Sequence, residues 1–227
     1  MKKNIFLALD FNSLDKALEV TEKTRDYLAG IKIGLELYSS IGLTGIKEFE
    51  KFNLPIFLDT KIFDIPNQVE KTIKVISSIK SIQYFTVHAL GSLEMLKAAK
   101  KASIGTGLEF LAVSILTSWD KNNLQEIGIA REIKDQVQIL IKLACRAKLS
   151  GIIASAQDIK LARKISKDIK IFCPGIRGDQ KMQDQKRTLN YKEFNNIADD
   201  KCFAVIGRPI YEGDSLKNIK KIINSAK

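Results

Sequence analysis

Three cysteines, one histidine, four prolines and no long apolar run bound what this 227-residue chain can be. Cys145, Cys173 and Cys202 are odd in number and far apart, with neither disulfide-framework nor zinc-finger spacing, so a reducing cytoplasm is the simplest home. A lone histidine, His88, excludes a zinc site built from several histidines. No stretch approaches the roughly 18 consecutive apolar residues of a membrane span. The opening Met1-Lys2-Lys3-Asn4-Ile5-Phe6 runs directly into a strand pattern ending at Asp10, which reads as neither signal peptide nor anchor. No proline- or glycine-rich linker divides the chain, so residues 1–227 are expected to form one domain. No Gly-x-Gly-x-x-Gly turn follows any strand candidate, which argues against a dinucleotide-binding fold.

Positive charge, in contrast, is abundant, with a formal net charge of +11. A basic footprint is the first sign of a nucleic-acid partner. Here the lysines are scattered over every presumed helix, as at Lys47, Lys97 to Lys101 and Lys217 to Lys221, with no basic tail and no interleaved aromatics. That distribution reads as a solvated surface, and neither nucleic acid nor membrane is expected as a partner. A positive protein does steer small anions toward itself.

Apolar strand candidates recur at Ile5 to Leu9, Gly30 to Gly34, Ile56 to Leu58, Tyr84 to Val87, Phe110 to Leu116, Gly151 to Ser155, Lys170 to Cys173 and Phe203 to Ile206, eight in all. Between them, segments such as Leu14 to Leu28, Gln68 to Ile79, Leu93 to Lys100, Val137 to Ala147 and Ile159 to Ile165 carry apolar residues at three and four spacing. Strands alternating with helices imply parallel pairing, and eight repeats imply closure into an α/β fold of the (β/α)8 TIM-barrel type. Such barrels routinely occupy about 200–250 residues and carry their active site at the carboxyl-terminal face of the strands.

The stretch Asp59-Thr60-Lys61-Ile62-Phe63-Asp64 is where chemistry is expected. It follows the apolar run Pro55 to Leu58 and precedes a helix opening at Pro66. Strand parity sets Asp59 beside Lys61, while Asp64 falls beyond the strand end with its direction open. A flanking carboxylate keeps lysine protonated, an acid and cation rather than a Schiff-base amine. Lys32, inside the apolar second strand, is costly as an unpaired ammonium, so a chain Lys32, Asp59, Lys61 is expected across neighbouring strands. His88 ends the fourth strand and reads more readily as a packed group than as a catalyst. Thr117 and Ser118 offer hydroxyls that either bind a ligand or cap a turn. After the seventh strand come Pro174-Gly175-Ile176-Arg177 and a polar run through Asp184, Gln185, Lys186 and Arg187, the size of a lid. After the eighth come Gly207-Arg208-Pro209-Ile210. Barrels commonly hold phosphate at these two loops, which makes Arg177, Gln185 and Arg208 the anion candidates.

With Asp59 through Asn67, Pro174 to Arg177, Asp184 to Arg187 and Gly207 to Ile210 in these places, the sequence resembles the orotidine 5'-phosphate decarboxylases of the compact bacterial type, from Leu7 to about Ile222. The resemblance implies a carboxy-lyase that converts orotidine 5'-phosphate to uridine 5'-phosphate and CO2, the last step of de novo pyrimidine synthesis, without metal or organic cofactor. It implies Lys61 as the catalytic proton donor, with Asp59, Asp64 and Lys32 completing a charged array and Asp10 and Lys32 on the ribose side. It places Thr60, Ile62, Phe63, Ile65, Pro66, Asn67 and Gln68 with them along the substrate. Thr117 is implied near the pyrimidine, and Arg177, Gln185, Gly207 and Arg208 at the phosphate and lid. It further implies a homodimer in which Asp64 reaches the partner's site. Phe63, Gln68 and Leu189-Asn190 depart from the pattern, where histidine, threonine and Thr-Pro are common. Two rivals stand beside this reading. A magnesium-dependent sugar-phosphate decarboxylase or synthase would want a carboxylate where Lys32 stands. A non-enzymatic nucleotide- or nucleic-acid-binding barrel would exploit the net charge.

Overall fold

The computed structural model describes residues 3–177 and 188–226. Its strands are β1 (Ile5–Leu9), β2 (Gly30–Gly34), β3 (Ile56–Ile62), β4 (Ile82–His88), β5 (Glu109–Val113), β6 (Gly151–Ile153), β7 (Lys170–Cys173), β8 (Ile176–Arg177), β9 (Leu189–Asn190) and β10 (Cys202–Ile206). Among the described residues, eight of them close a parallel barrel in the order β1, β2, β3, β4, β5, β6, β7, β10 and back to β1. The short strands β8 and β9 pair with each other, Ile176 opposite Leu189 and Arg177 opposite Asn190.

Helices α1 (Leu14–Thr24), α2 (Leu35–Ile46), α3 (Pro66–Ile76), α4 (Ser92–Ala102), α5 (Lys121–Glu126), α6 (Ile133–Arg146), α7 (Ile159–Ile165), α8 (Tyr191–Ile197), α9 (Arg208–Tyr211) and α10 (Ser215–Asn224) follow the strands. Their starts are written in local chemistry. Ser13 caps α1, Asp214 caps α10, and Pro66 opens α3 where a missing N–H costs nothing. The apolar stripe of each long helix packs on the outward residues of the strands, building the main core from residues such as Leu7, Ile31, Leu58, Phe85 and Ile171.

The inward residues make a second core. Phe6, Phe57, Tyr84 and Phe172 fill the barrel with Phe203 against them, and the Phe6 and Phe172 ring centroids lie 5.0 Å apart. Gly30 is required here, since a Cβ would run into the Phe6 ring and come within 2.5 Å of the Pro55 carbonyl oxygen. Toward the strand starts, the Lys170 ammonium lies over the Tyr84 ring and donates to both Glu109 carboxylate oxygens at 2.6 and 2.7 Å. Aromatic rings and one ion pair therefore stopper the barrel from below and leave the strand carboxyl ends to form a cavity.

Several boundaries differ from the sequence-based expectation. The third strand continues past Leu58 to Ile62, because pairing with β4 resumes at Ile62 opposite Val87 after a register shift. The fifth stops at Val113 rather than Leu116, and the chain from Ser114 onward turns across the mouth. Leu14 to Leu28 divides into α1 and a 3-10 turn at Arg25–Tyr27. The Asn190 departure has a local cause: its side chain accepts from the Glu193 amide, while its own N–H donates to Glu193, a reciprocal cap of α8. Proline at this position has no N–H to give.

Candidate active site

A cavity of about 330 Å³ opens at the carboxyl ends of the strands. Its floor is apolar, from Ala8, Phe57, Val113, Ile153 and Val205, and its wall carries four charges in sequence. Asp10 follows β1, Lys32 sits mid-β2, and Asp59 and Lys61 lie on β3. The inward parity that buries Phe6 and Ala8 also delivers Asp10, and the parity that buries Phe57 also delivers Asp59.

The charges alternate. The Lys32 ammonium lies 3.0 Å from Asp10 Oδ1 and 3.9 Å from Asp59 Oδ2, and the Lys61 ammonium lies 2.9 Å from Asp59 Oδ2. Two carboxylates and two ammoniums thus form one line in which every buried charge has an opposite neighbour. Attraction between opposite charges at this range strengthens steeply as water is excluded. Lys61 remains the more accessible of the two cations, its side chain 30% exposed against 11% for Lys32. That difference makes Lys61 the cation offered to the cavity.

Lys61 reaches this place by an irregular route. Its φ is +51°, in the left-handed region that non-glycine residues rarely adopt. The β3–β4 pairing skips from Leu58 opposite Phe85 to Ile62 opposite Val87. Within that break, Thr86 fills the gap: its Oγ1 accepts the Lys61 amide N–H at 2.8 Å and donates to Asp59 Oδ1 at 3.1 Å. Thr86 was missed from sequence. Its signal was available, a hydroxyl on the same strand parity as Tyr84 and His88.

His88 Nδ1 accepts the Leu90 amide, and its ring stacks on Phe63 at 5.9 Å. Burial, then the Lys61 charge, push its pKa below the ordinary histidine value. His88 is accordingly neutral, with its proton on Nε2, and packs beside the array.

Asp10, Lys32, Asp59, Lys61, Thr117, Gly207 and Arg208 all line the same cavity. Gly207 belongs at the close approach of β10 to β1, where a Cβ would stand 3.2 Å from Asp10 Oδ2. Thr60 and the run from Ile62 to Gln68 do not line it. Thr60 faces away, its hydroxyl buried with no hydrogen-bond partner among the described residues. Phe63 and Ile65 are 63% and 62% exposed, and Asp64, Asn67 and Gln68 face solvent while Pro66 starts α3. Asp64 accepts only the Ile65 amide and forms no ion pair among the described residues. The Arg177 backbone pairs with Asn190, but its side chain, like Gln185 and the run from Asp184 to Arg187, lies outside the described residues. Ser118, Pro174 and Ile176 complete the rim.

A cavity with a fixed ammonium over an apolar floor, and an arginine at one end, suits an anionic substrate whose reaction develops negative charge at carbon. The sequence model described as "Orotidine 5'-phosphate decarboxylase / HUMPS family" matches residues 3–222. Over 220 residues the chain is 39% identical to the orotidine 5'-phosphate decarboxylase of Wolbachia pipientis subsp. Culex pipiens, covering 96% of each chain. Over 211 residues it is 39% identical to that of Sphingopyxis alaskensis, covering 92% of each. The crystal structure of orotidine 5'-phosphate decarboxylase from Lactobacillus acidophilus matches along the whole of both chains, with a TM-score of 0.83 at 28% identity.

Proposed function

Since the chain belongs to the orotidine 5'-phosphate decarboxylase / HUMPS family, we propose that it decarboxylates orotidine 5'-phosphate to uridine 5'-phosphate and CO2, closing de novo pyrimidine synthesis. The observation that carries this reading is the alternating line Asp10, Lys32, Asp59, Lys61 along one wall of the cavity. Heterolysis of the bond from C6 to the carboxylate leaves an electron pair on C6 with no adjacent carbonyl to delocalise it. A cation already fixed at that carbon is the stabilisation the step most needs. In this reading the Lys61 ammonium faces C6 and gives its proton to the carbanion as CO2 departs, then regains a proton from solvent. Asp59 orients the Lys61 ammonium at 2.9 Å, and Lys32 stands on the other side of Asp59 at 3.9 Å.

The nucleotide lies along the rest of the cavity, its ribose by Asp10 and Lys32, its pyrimidine by Thr117, and its phosphate by Gly207 and Arg208 with Arg177 and Gln185. Binding energy from the remote phosphate orients the reacting ring. Lys32 also stands between two carboxylates, where a magnesium-dependent relative needs oxygen ligands rather than an ammonium. The proposal therefore assigns the chemistry to side chains alone. Residues 1–227 act as one cytoplasmic domain in it; among the described residues no helix is long and apolar enough to cross a membrane.

A homodimer completes the proposal. Asp64 has no cation of its own among the described residues, and it stands between exposed Phe63 and Ile65 with Leu35 also exposed. Pairing two copies through this rim would cover the apolar side chains and bring each Asp64 to the other copy's Lys61.

The test is the ultraviolet absorbance of orotidine 5'-phosphate mixed with purified protein in excess chelator, beside Lys61→Ala. Loss of substrate absorbance is expected with the wild type and not with the variant, while the variant still binds uridine 5'-phosphate. An inert wild type that gains activity on a sugar phosphate once magnesium is supplied would reject the reading. Full turnover by Lys61→Ala would reject the role of the lysine.

A further inference from the structure

We propose that Thr86 is a positioning residue for this reaction, acting through both Lys61 and Asp59; the inference rests on the proposed decarboxylation. Thr86 lies mid-β4, wholly buried, between Tyr84 and His88 on the inward parity. A hydroxyl has one proton and two lone pairs. Here the proton goes to Asp59 Oδ1 at 3.1 Å, and a lone pair takes the Lys61 amide at 2.8 Å.

These two bonds do different work. At the break in the β3–β4 ladder, the hydroxyl supplies the acceptor that a continuous strand would offer as a carbonyl, so the left-handed backbone of Lys61 is held without an orphaned N–H. At Asp59 it fixes which oxygen faces where. With Oδ1 directed to Thr86, Oδ2 is left for both ammoniums, at 2.9 Å from Lys61 and 3.9 Å from Lys32. One buried hydroxyl thereby sets the backbone that carries the acid and the carboxylate that aims it. A group that moves the reacting ammonium by a fraction of its contact distance changes kcat more than binding, because the remaining cavity contacts still hold the nucleotide.

The experiment compares Thr86→Val, which keeps shape and branching without the hydroxyl, with Thr86→Ser and Thr86→Cys. For Thr86→Val, kcat is expected to fall about 10- to 100-fold, the scale of a lost hydrogen bond to a charged group. KM for orotidine 5'-phosphate is expected to stay within about threefold. Thr86→Ser restores kcat to near wild type, and Thr86→Cys, a weaker donor and acceptor, lies between. Wild-type kcat in the Val variant would overturn the proposal. So would a Ser variant as impaired as Val, which would make the methyl the important part, or a loss carried wholly by KM. Should the Val variant fail to fold, Cys against Ser decides, and equal kcat for the two overturns it.

A second readout does not depend on turnover. Exchange of the Lys61 amide proton is expected to be slow in the wild type and in Thr86→Ser, and at least about tenfold faster in Thr86→Val. If the wild type is inert toward orotidine 5'-phosphate, the reaction is wrong, yet the exchange series still shows whether the stitch exists. Equal exchange in all three would show that it does not.

Discussion

Lys61 carries two loads at one position, since its side chain supplies the exposed cation of the array and its backbone sits at a φ of +51°. The left-handed conformation costs a residue bearing a Cβ about 1–2 kcal/mol, and glycine escapes that cost. Lys61→Gly and Lys61→Ala both remove the ammonium and both leave Asp59 with Lys32, so they differ mainly in backbone. We predict that the Gly variant is more stable than the Ala variant by about 1 kcal/mol, the reverse of the order in an ordinary strand. Urea midpoints measure it directly, and an Ala variant equal or superior to Gly would show that Thr86 has relieved the strain. This cost was invisible in sequence. Parity alone set Asp59 beside Lys61, and the two are indeed 2.9 Å apart, but through a broken ladder rather than a regular pleat.

Among the elements, the strand ends do the selecting. Runs of isoleucine, leucine and phenylalanine announced where strands pass through the barrel, because a strand covered on both faces must be apolar throughout. Polar residues closing those runs announced Asp10, Asp59, Thr117 and Arg208, which share one cavity. The break between β3 and β4 was not announced, since it is decided by how two strands register against each other. The segment from Phe63 to Gln68 shows the same limit: its letters matched a known pattern, but within one chain it faces solvent.

A different tie holds α7 to the turn before β10. The Arg163 guanidinium is hydrogen-bonded to the Asp199 carboxylate through two nitrogens and also donates to the Ile169 carbonyl at 2.7 Å. This partner holds the Asp199 carboxyl well below the usual carboxylate range. A carboxyl whose folded pKa is depressed stabilises the fold above its unfolded value of about 3.9, and that contribution disappears as pH falls toward the folded value. Asp199 is 41% exposed, so solvent screening limits the pair to about 0.5–1 kcal/mol. Asp199→Asn is expected to lose that much at pH 7, and the gap to the wild type is expected to narrow as pH falls from about 3.9 toward the depressed folded value. A gap in urea midpoint that persists unchanged into acid would refute the electrostatic account.

For the whole molecule, the question is how many copies make a working site. Under the proposed dimer, Lys61 and Asp64 of each site come from different copies, so defects in the two can be separated. Lys61→Ala and Asp64→Ala are each expected to be inactive as pure proteins. Mixed after dissociation, half of the dimers are hybrids, and each hybrid holds one site with both defects and one with neither. About a quarter of all sites then recover full activity. Silence of the mixture, with hybrids shown to be present, would place both residues in one copy.

The stopper of rings beneath the cavity has a further consequence for traffic. Phe6, Phe57, Tyr84 and Phe172 pack as buried rings beneath the cavity, and the Lys170–Glu109 pair lies on their far side. In the proposed reaction nucleotide and gas would then share the doorway at the strand carboxyl ends. Under the proposed reaction both products form beside Lys61, the more accessible cation, so the order in which carbon dioxide and nucleotide depart is set by which can pass the other in the mouth.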